Sequence, residues 1–205
     1  MLDWPHDVAQ FADRFGIDQF AVGGISAGCP YALACGVTLT DRLTRVGIIA
    51  GVLPPDHYDA DQMAALVRTD PPAARRRARE HIEALVADVE GSVAAMATKP
   101  EPDGPVYARP DVQAQFLACR REAVRSGIEG PVHDVLLLNQ TWGFELDEVT
   151  APVRWWHGDL DYLTSPAMLD AVLGSRRTFA MTIYRGEGHA IGVTHGEEIL
   201  AELVP

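Results

Sequence analysis

The sequence predicts an α/β fold: a mostly parallel sheet whose strands alternate with helices, with a long helical segment inserted. Three observations carry this. Short apolar runs recur at Phe20-Ala-Val22, Val46-Gly-Ile-Ile-Ala50, Val153-Arg-Trp-Trp-His157 and Thr178-Phe-Ala-Met-Thr-Ile-Tyr184. Their near-continuous apolar character fits strands covered on both faces, as in parallel sheets. Residues 52–150 change character and carry helical stripes instead. Finally, Gly24-Ile-Ser26-Ala-Gly28 stands between the first run and an Ala/Leu/Cys stretch, so a serine sits at a strand–turn–helix junction.

The elements follow in order. Pro5 suits the first turn of a helix and Gly16 the position just past its end; Val8, Phe11, Ala12 and Phe15 between them share one face. The strand from Phe20 then reverses sharply at Ser26. Glycines two residues before and after the serine remove the Cβ atoms that such a turn would crowd. Ser26 is expected to be strained, with its hydroxyl projecting at the sheet edge. The N–H of Ala27 opens a helix, where developing negative charge is favoured, and Pro30 falls in its first turn. The next strand is Val46–Ala50.

Within 52–150, Asp56 is expected to cap a helix carrying Met63, Leu66 and Val67. Pro71-Pro72 open another, striped by Ile82, Val86, Val89, Val93 and Met96. Residues 99–105, rich in proline, read as a loop. Val112, Phe116, Leu117 and Val124 mark a third helix, and Val135, Leu136 and Trp142 part of a fourth. This segment is expected to be a helical lid inserted into a core formed by 1–51 and 151–205. The basic run Arg75-Arg-Arg-Ala-Arg79 is read as a solvated helix face rather than an anion site. Met63, Met96, Trp142 and Phe144 could line a pocket, but helix packing accounts for them without a ligand.

The sheet resumes at Val153 and ends in Gly158-Asp-Leu-Asp161. Ser165 and Pro166 cap and open a helix through Leu173, closed by Gly174. The last strand runs into the turn Gly186-Glu-Gly-His189, and a helix with Ile199, Leu200 and Leu203 on its apolar side ends the chain.

Composition narrows the class. A 205-residue chain with 47% apolar residues supports a substantial core. A formal charge of −12 argues against nucleic acid or an anionic membrane as partner. Cys29, Cys35 and Cys119 form no C-x-x-C pair and read as small apolar residues in a reducing compartment. The first residues lack a basic, then apolar, leader pattern, and no run is apolar enough to span a bilayer. A cytoplasmic protein acting on a small molecule is expected.

Acyl transfer by a serine needs a base for the hydroxyl proton and an acid to orient that base. His189, in a glycine-flanked turn after the last strand, is the candidate base. Asp161, just past the preceding strand, is the candidate acid; Asp159 in the same loop is the alternative, and Asp56 a remote third. Ser26, Asp161 and His189 then converge at the carboxyl edge of the sheet, where chemistry gathers in doubly wound folds. His157, at a strand end, reads as a packed, hydrogen-bonded residue. His195 and His189 are poorly spaced for shared metal binding, and no metal is assigned.

These stretches, Gly-Gly-Ile-Ser26-Ala-Gly, Trp-His-Gly-Asp-Leu-Asp161 with Pro166 following, and Glu-Gly-His189, together resemble the α/β-hydrolase superfamily, particularly its members with a helical lid. The resemblance implies Ser26 as nucleophile, His189 as general base and then acid, Asp161 as orienting carboxylate and the Ala27 N–H as half of an oxyanion hole. It implies no cofactor. A serine at the elbow favours ester, thioester or amide cleavage over epoxide or haloalkane hydrolysis, whose relatives carry aspartate there. The resemblance also implies strands before the first helix and a loop, often His-Gly, that donates the second oxyanion N–H. His157-Gly158 follows a later strand and cannot replace it. On this comparison the chain is expected to be the carboxyl-terminal part of a hydrolase fold. The alternative expectation is an impaired remnant or interaction module that self-associates through an exposed sheet edge.

Overall fold

The computed structural model describes residues 1–58, 62–174 and 179–204. Two compact units divide the chain: Met1–Pro54 with Trp142–Pro205, and Pro55–Thr141.

In the first unit, helix α1 (Trp4–Arg14) leads into strand β1 (Phe20–Ile25), a 3-10 turn over Ser26–Gly28 and helix α2 (Cys29–Thr38). Strand β2 (Leu43–Ile49) pairs with β1 in parallel. The helical unit intervenes in sequence, with α3 (Gln62–Thr69), α4 (Pro71–Ala87), α5 (Val89–Ala94), α6 (Asp103–Tyr107), α7 (Pro110–Ala123) and α8 (Glu129–Leu138). Strand β3 (Val153–Gly158), helix α9 (Pro166–Leu173), strand β4 (Phe179–Tyr184) and helices α10 (Ile191–Thr194) and α11 (Gly196–Leu203) complete the first unit. The sheet runs β1-β2-β3-β4, every described pair parallel. Thr178, assigned above to the last strand, lies outside the described residues.

Alternation along β2 explains how the sheet is covered on both sides. Val46 and Ile48 face α2: a Cβ on Gly36 of that helix would touch Val46, and one on Gly51 would strike Ile48, Trp155 and Cys29. Gly47 and Ile49 face the other way, toward Leu203 and Ile191, where Ile49, Ala50, Trp156, Ile191, Ile199 and Leu203 form one buried cluster. Fully burying side chains of this size stabilises by roughly 1.5–3 kcal/mol each. The C-terminal helix contributes Ile199 and Leu203 to it but leaves Leu200 58% exposed, outside the expected apolar face.

Several expectations are corrected. Strand β2 ends at Ile49; Ala50 turns to φ 46 and donates its N–H to the Trp156 carbonyl at 2.9 Å. Of the apolar face expected on α1, only Ala12 is buried, whereas Phe11 and Phe15 are 63% and 61% exposed and pack on each other. Cys29 and Cys35 are buried as expected, and burial pushes the Cys35 thiol up to about 11, but Cys119 is exposed.

In the helical unit, the continuous stripe from Ile82 to Met96 is broken at Asp88, which leaves helical geometry and caps α5 by accepting the Gly91 N–H at 2.8 Å. Asp56 caps nothing described; it lies in a 3-10 turn, Pro55–His57, and pairs with Arg68 at 3.4 Å. Helix α6 begins inside the expected 99–105 loop. Ala78, Ile82 and Val132 form one buried cluster of this unit, with Met63, Leu85 and Val135 against it. Arg75 and Arg79 are solvated and both pair with Glu129 of α8, so a local carboxylate partners two of the run's four arginines. The unit boundary also differs from 52–150. Trp142 packs on Phe144, and Val149 and Ala151 are buried near Gly36 of α2, so 142–150 belong with the sheet. No helix among the described residues is long and apolar enough to cross a membrane.

Candidate active site

Ser26 has φ 52, a left-handed conformation that only glycine adopts cheaply. The turn tolerates it because β1 and α2 fix the chain on both sides. Gly24 is obligatory here, since a Cβ would overlap the Gly28 carbonyl and touch Ala32. Gly28 is not: its φ is −73, and a Cβ there would meet nothing within 4 Å. The expectation that both glycines relieve crowding therefore holds for one of them. Pro30 falls in the first turn of α2, where its missing donor leaves no gap.

His189 arrives from the end of β4. Its turn folds closely over the end of β3, because a Cβ on Gly158 would overlap the carbonyls of Glu187 and Gly188. The Leu160 N–H donates to the Glu187 carbonyl at 2.9 Å and the Asp159 N–H to that of Tyr184 at 3.0 Å, joining the two loops. Asp159 accepts the Gly186 N–H at 2.7 Å. It shapes the turn and does not reach the imidazole.

Asp161 is the carboxylate that does. Its side chain has no exposed surface, and Oδ2 lies 2.8 Å from His189 Nδ1. Oδ1 accepts the Leu163 N–H at 2.8 Å and the Thr164 N–H at 3.1 Å. Burial pushes this carboxyl upward, but the hydrogen bonds it accepts from His189 and the Leu163 N–H oppose that, and the net shift is downward. The carboxyl is held below its ordinary range and is ionised at neutral pH. An ionised carboxylate only accepts, so Nδ1 of His189 carries the proton and Nε2 presents a lone pair. Ser26 Oγ stands 2.8 Å from that Nε2 and can donate to it. The Tyr162 and His189 rings meet edge to face at a 5.9 Å centroid distance.

The structure thus brings Ser26, His189 and Asp161 into one hydrogen-bonded line. Asp56 belongs to the other compact unit and has its own partner in Arg68. His157 is fully buried, as expected, yet it also stands 3.2 Å from Asp161 Oδ2. The sequence reading does not anticipate that proximity, although a spacing of four across a strand end and a tight turn is its available signal. Among the described residues no cluster of three or more metal-ligating side chains forms.

The sequence matches no protein-family model and no curated protein. Solved structures do match. A thermophilic esterase from Thermogutta terrifontis aligns with 97% of this chain and 68% of its own at TM-score 0.69 and 18% identity. An alpha/beta hydrolase fold protein from Nakamurella multipartita aligns with 97% of this chain and 73% of its own at TM-score 0.58 and 18% identity. A Vigna radiata epoxide hydrolase mutant aligns with 96% and 72% at TM-score 0.66 and 19% identity. Identities this low speak to architecture alone. Four parallel strands, the serine elbow after β1 and the helical insertion after β2 agree with that architecture: the chain has the α/β-hydrolase fold.

Proposed function

We propose that the protein is a serine hydrolase that cleaves an ester, thioester or amide bond through an acyl-enzyme intermediate. The observation that supports it is the unbroken relay from Ser26 Oγ to His189 Nε2 and from His189 Nδ1 to Asp161 Oδ2, 2.8 Å at each step. In this mechanism Ser26 Oγ attacks the substrate carbonyl carbon while His189 Nε2 takes its proton. Asp161 holds the ring and stabilises the imidazolium. The Ala27 N–H, at the start of the turn into α2, supports the oxyanion; a single such donor is worth about 2.7–4 kcal/mol. Collapse of the tetrahedral intermediate expels the alcohol, thiol or amine, which leaves with the proton from His189. Water then attacks the acyl carbon while His189 takes one of its protons, the bond from that carbon to Ser26 Oγ breaks, and His189 returns the proton to Oγ as the acid leaves. Substrates are expected to be small or medium apolar acyl derivatives; one of the structural neighbours is itself named an esterase.

Hydrolysis of short-chain p-nitrophenyl esters tests the reading. Ser26→Ala should lower kcat by on the order of 10⁴-fold or more, to the level left by binding and the oxyanion donor. Activity that survives this substitution would contradict it.

A further inference from the structure

We infer that His157 is a positioning residue for the Asp161 turn, held as the neutral Nε2–H tautomer by Trp155. This rests on the hydrolase reading of the same site. The tautomer follows from donor and acceptor inventory. The Trp155 indole nitrogen can only donate, and it lies 3.4 Å from His157 Nδ1, so Nδ1 accepts. The proton is then on Nε2, which donates to the Thr164 carbonyl at 2.7 Å. Thr164, 1% exposed, in turn donates its N–H to Asp161 Oδ1. The carbonyl of Thr164 is thus tied to His157 and its N–H to the carboxylate.

The consequence is a continuous hydrogen-bonded chain, buried as far as Asp161: Trp155 to His157, His157 to Thr164, Thr164 to Asp161, Asp161 to His189, His189 to Ser26. Its first two members lie on β3, a strand buried along almost its whole length, and its last three form the proposed relay. His157 touches no reacting atom. It transmits the rigidity of β3 to the turn from Asp159 to Thr164, which fixes the Asp161 carboxylate. A second proton on His157 would put its Nδ1–H against the Trp155 N–H, so geometry opposes the imidazolium. Burial acts in the same direction, lowering its pKa. The proximity of Nε2–H to Asp161 Oδ2, at 3.2 Å, adds a second favourable dipole beside the carboxylate.

The test combines spectroscopy with kinetics. In the Ser26→Ala protein, imidazole ¹⁵N spectra at pH 7 should show His157 as the neutral Nε2–H tautomer; an imidazolium or the Nδ1–H tautomer would overturn the inference whatever the activity. His157→Leu should lower kcat roughly 10- to 100-fold with KM unchanged, and should broaden or shift the downfield proton shared by His189 and Asp161. His157→Gln, which returns an amide donor toward Thr164, should recover kcat to within a few-fold. If folded His157→Leu keeps both kcat and the downfield proton, the residue is merely packed and the inference fails. Should that variant fail to fold, the tautomer measurement still decides. An unreactive Ser26 in wild type would count against the hydrolase reading and leave the tautomer result to judge this one.

Discussion

At the scale of single residues, two carboxylates in one loop have opposite roles. Asp161 is buried and accepts from three donors, one of them His189, whereas Asp159 accepts from Gly186 and stands 3.9 Å from Arg185. Asp161→Asn should therefore lower kcat by on the order of 10⁴, through the wrong His189 tautomer. Asp159→Asn should cost far less, and steady-state ester hydrolysis by the two variants distinguishes them. The sequence narrows the acid to this loop but does not choose, because the choice depends on which side chain the turn directs inward. The role of His157 is hidden for the same reason: its partners, Trp155 and Thr164, are set by strand pleat and turn closure. Its lowered pKa also gives a pH signature. The folded state resists protonating His157 while the unfolded chain binds a proton near pH 6.5. That contribution is full above about pH 6.5 and is lost as pH falls toward the folded value. The stability advantage of wild type over His157→Gln should accordingly shrink between pH 7 and pH 5 in urea denaturation. An advantage that grows toward acid pH would contradict a neutral buried His157.

Secondary-structure elements were legible wherever the period of apolar residues was short and uninterrupted. β1, β2 and β3 fall within a few residues of the expected runs, and α9 has the expected Ser165 cap, accepting from Met168 N–H at 3.3 Å, and the expected stop at Gly174. Boundaries failed where a local hydrogen bond competed with the stripe. Asp88 offers its carboxylate to the Gly91 N–H and so starts a new helix within an apolar pattern that continues through it. The elbow shows the same dependence on surroundings. A G-x-S-x-G pattern treats its glycines alike, but only Gly24 meets backbone atoms. Gly24→Ala should destabilise by roughly 1–3 kcal/mol, as overpacking does. Gly28→Ala, at φ −73 in open space, should be neutral or stabilise by about 0.4–1 kcal/mol. Urea denaturation of both variants checks the contrast, and equal losses would contradict the account of the turn.

For the whole molecule, order along the chain carried most of the information. The sequence alone points serine, acid and histidine to one sheet edge, because parallel β–α units deliver successive strand ends to the same rim. The faces left uncovered were not legible, since alternation says what is apolar and not what is covered. Among the described residues β1 is paired on one side only, and Phe11, Phe15 and Ile25 are exposed. An unpaired strand edge is a template for another strand, so self-association is expected to rise with concentration; a monodisperse monomer across a range of concentrations in sedimentation velocity would contradict this. The proposed chemistry has a more direct test. A fluorophosphonate should phosphonylate the folded wild-type protein once, with peptide mass spectrometry locating the adduct on Ser26 and Ser26→Ala abolishing it. Folded protein that stays unmodified at high reagent concentration, or an adduct on another residue, would contradict the proposed nucleophile.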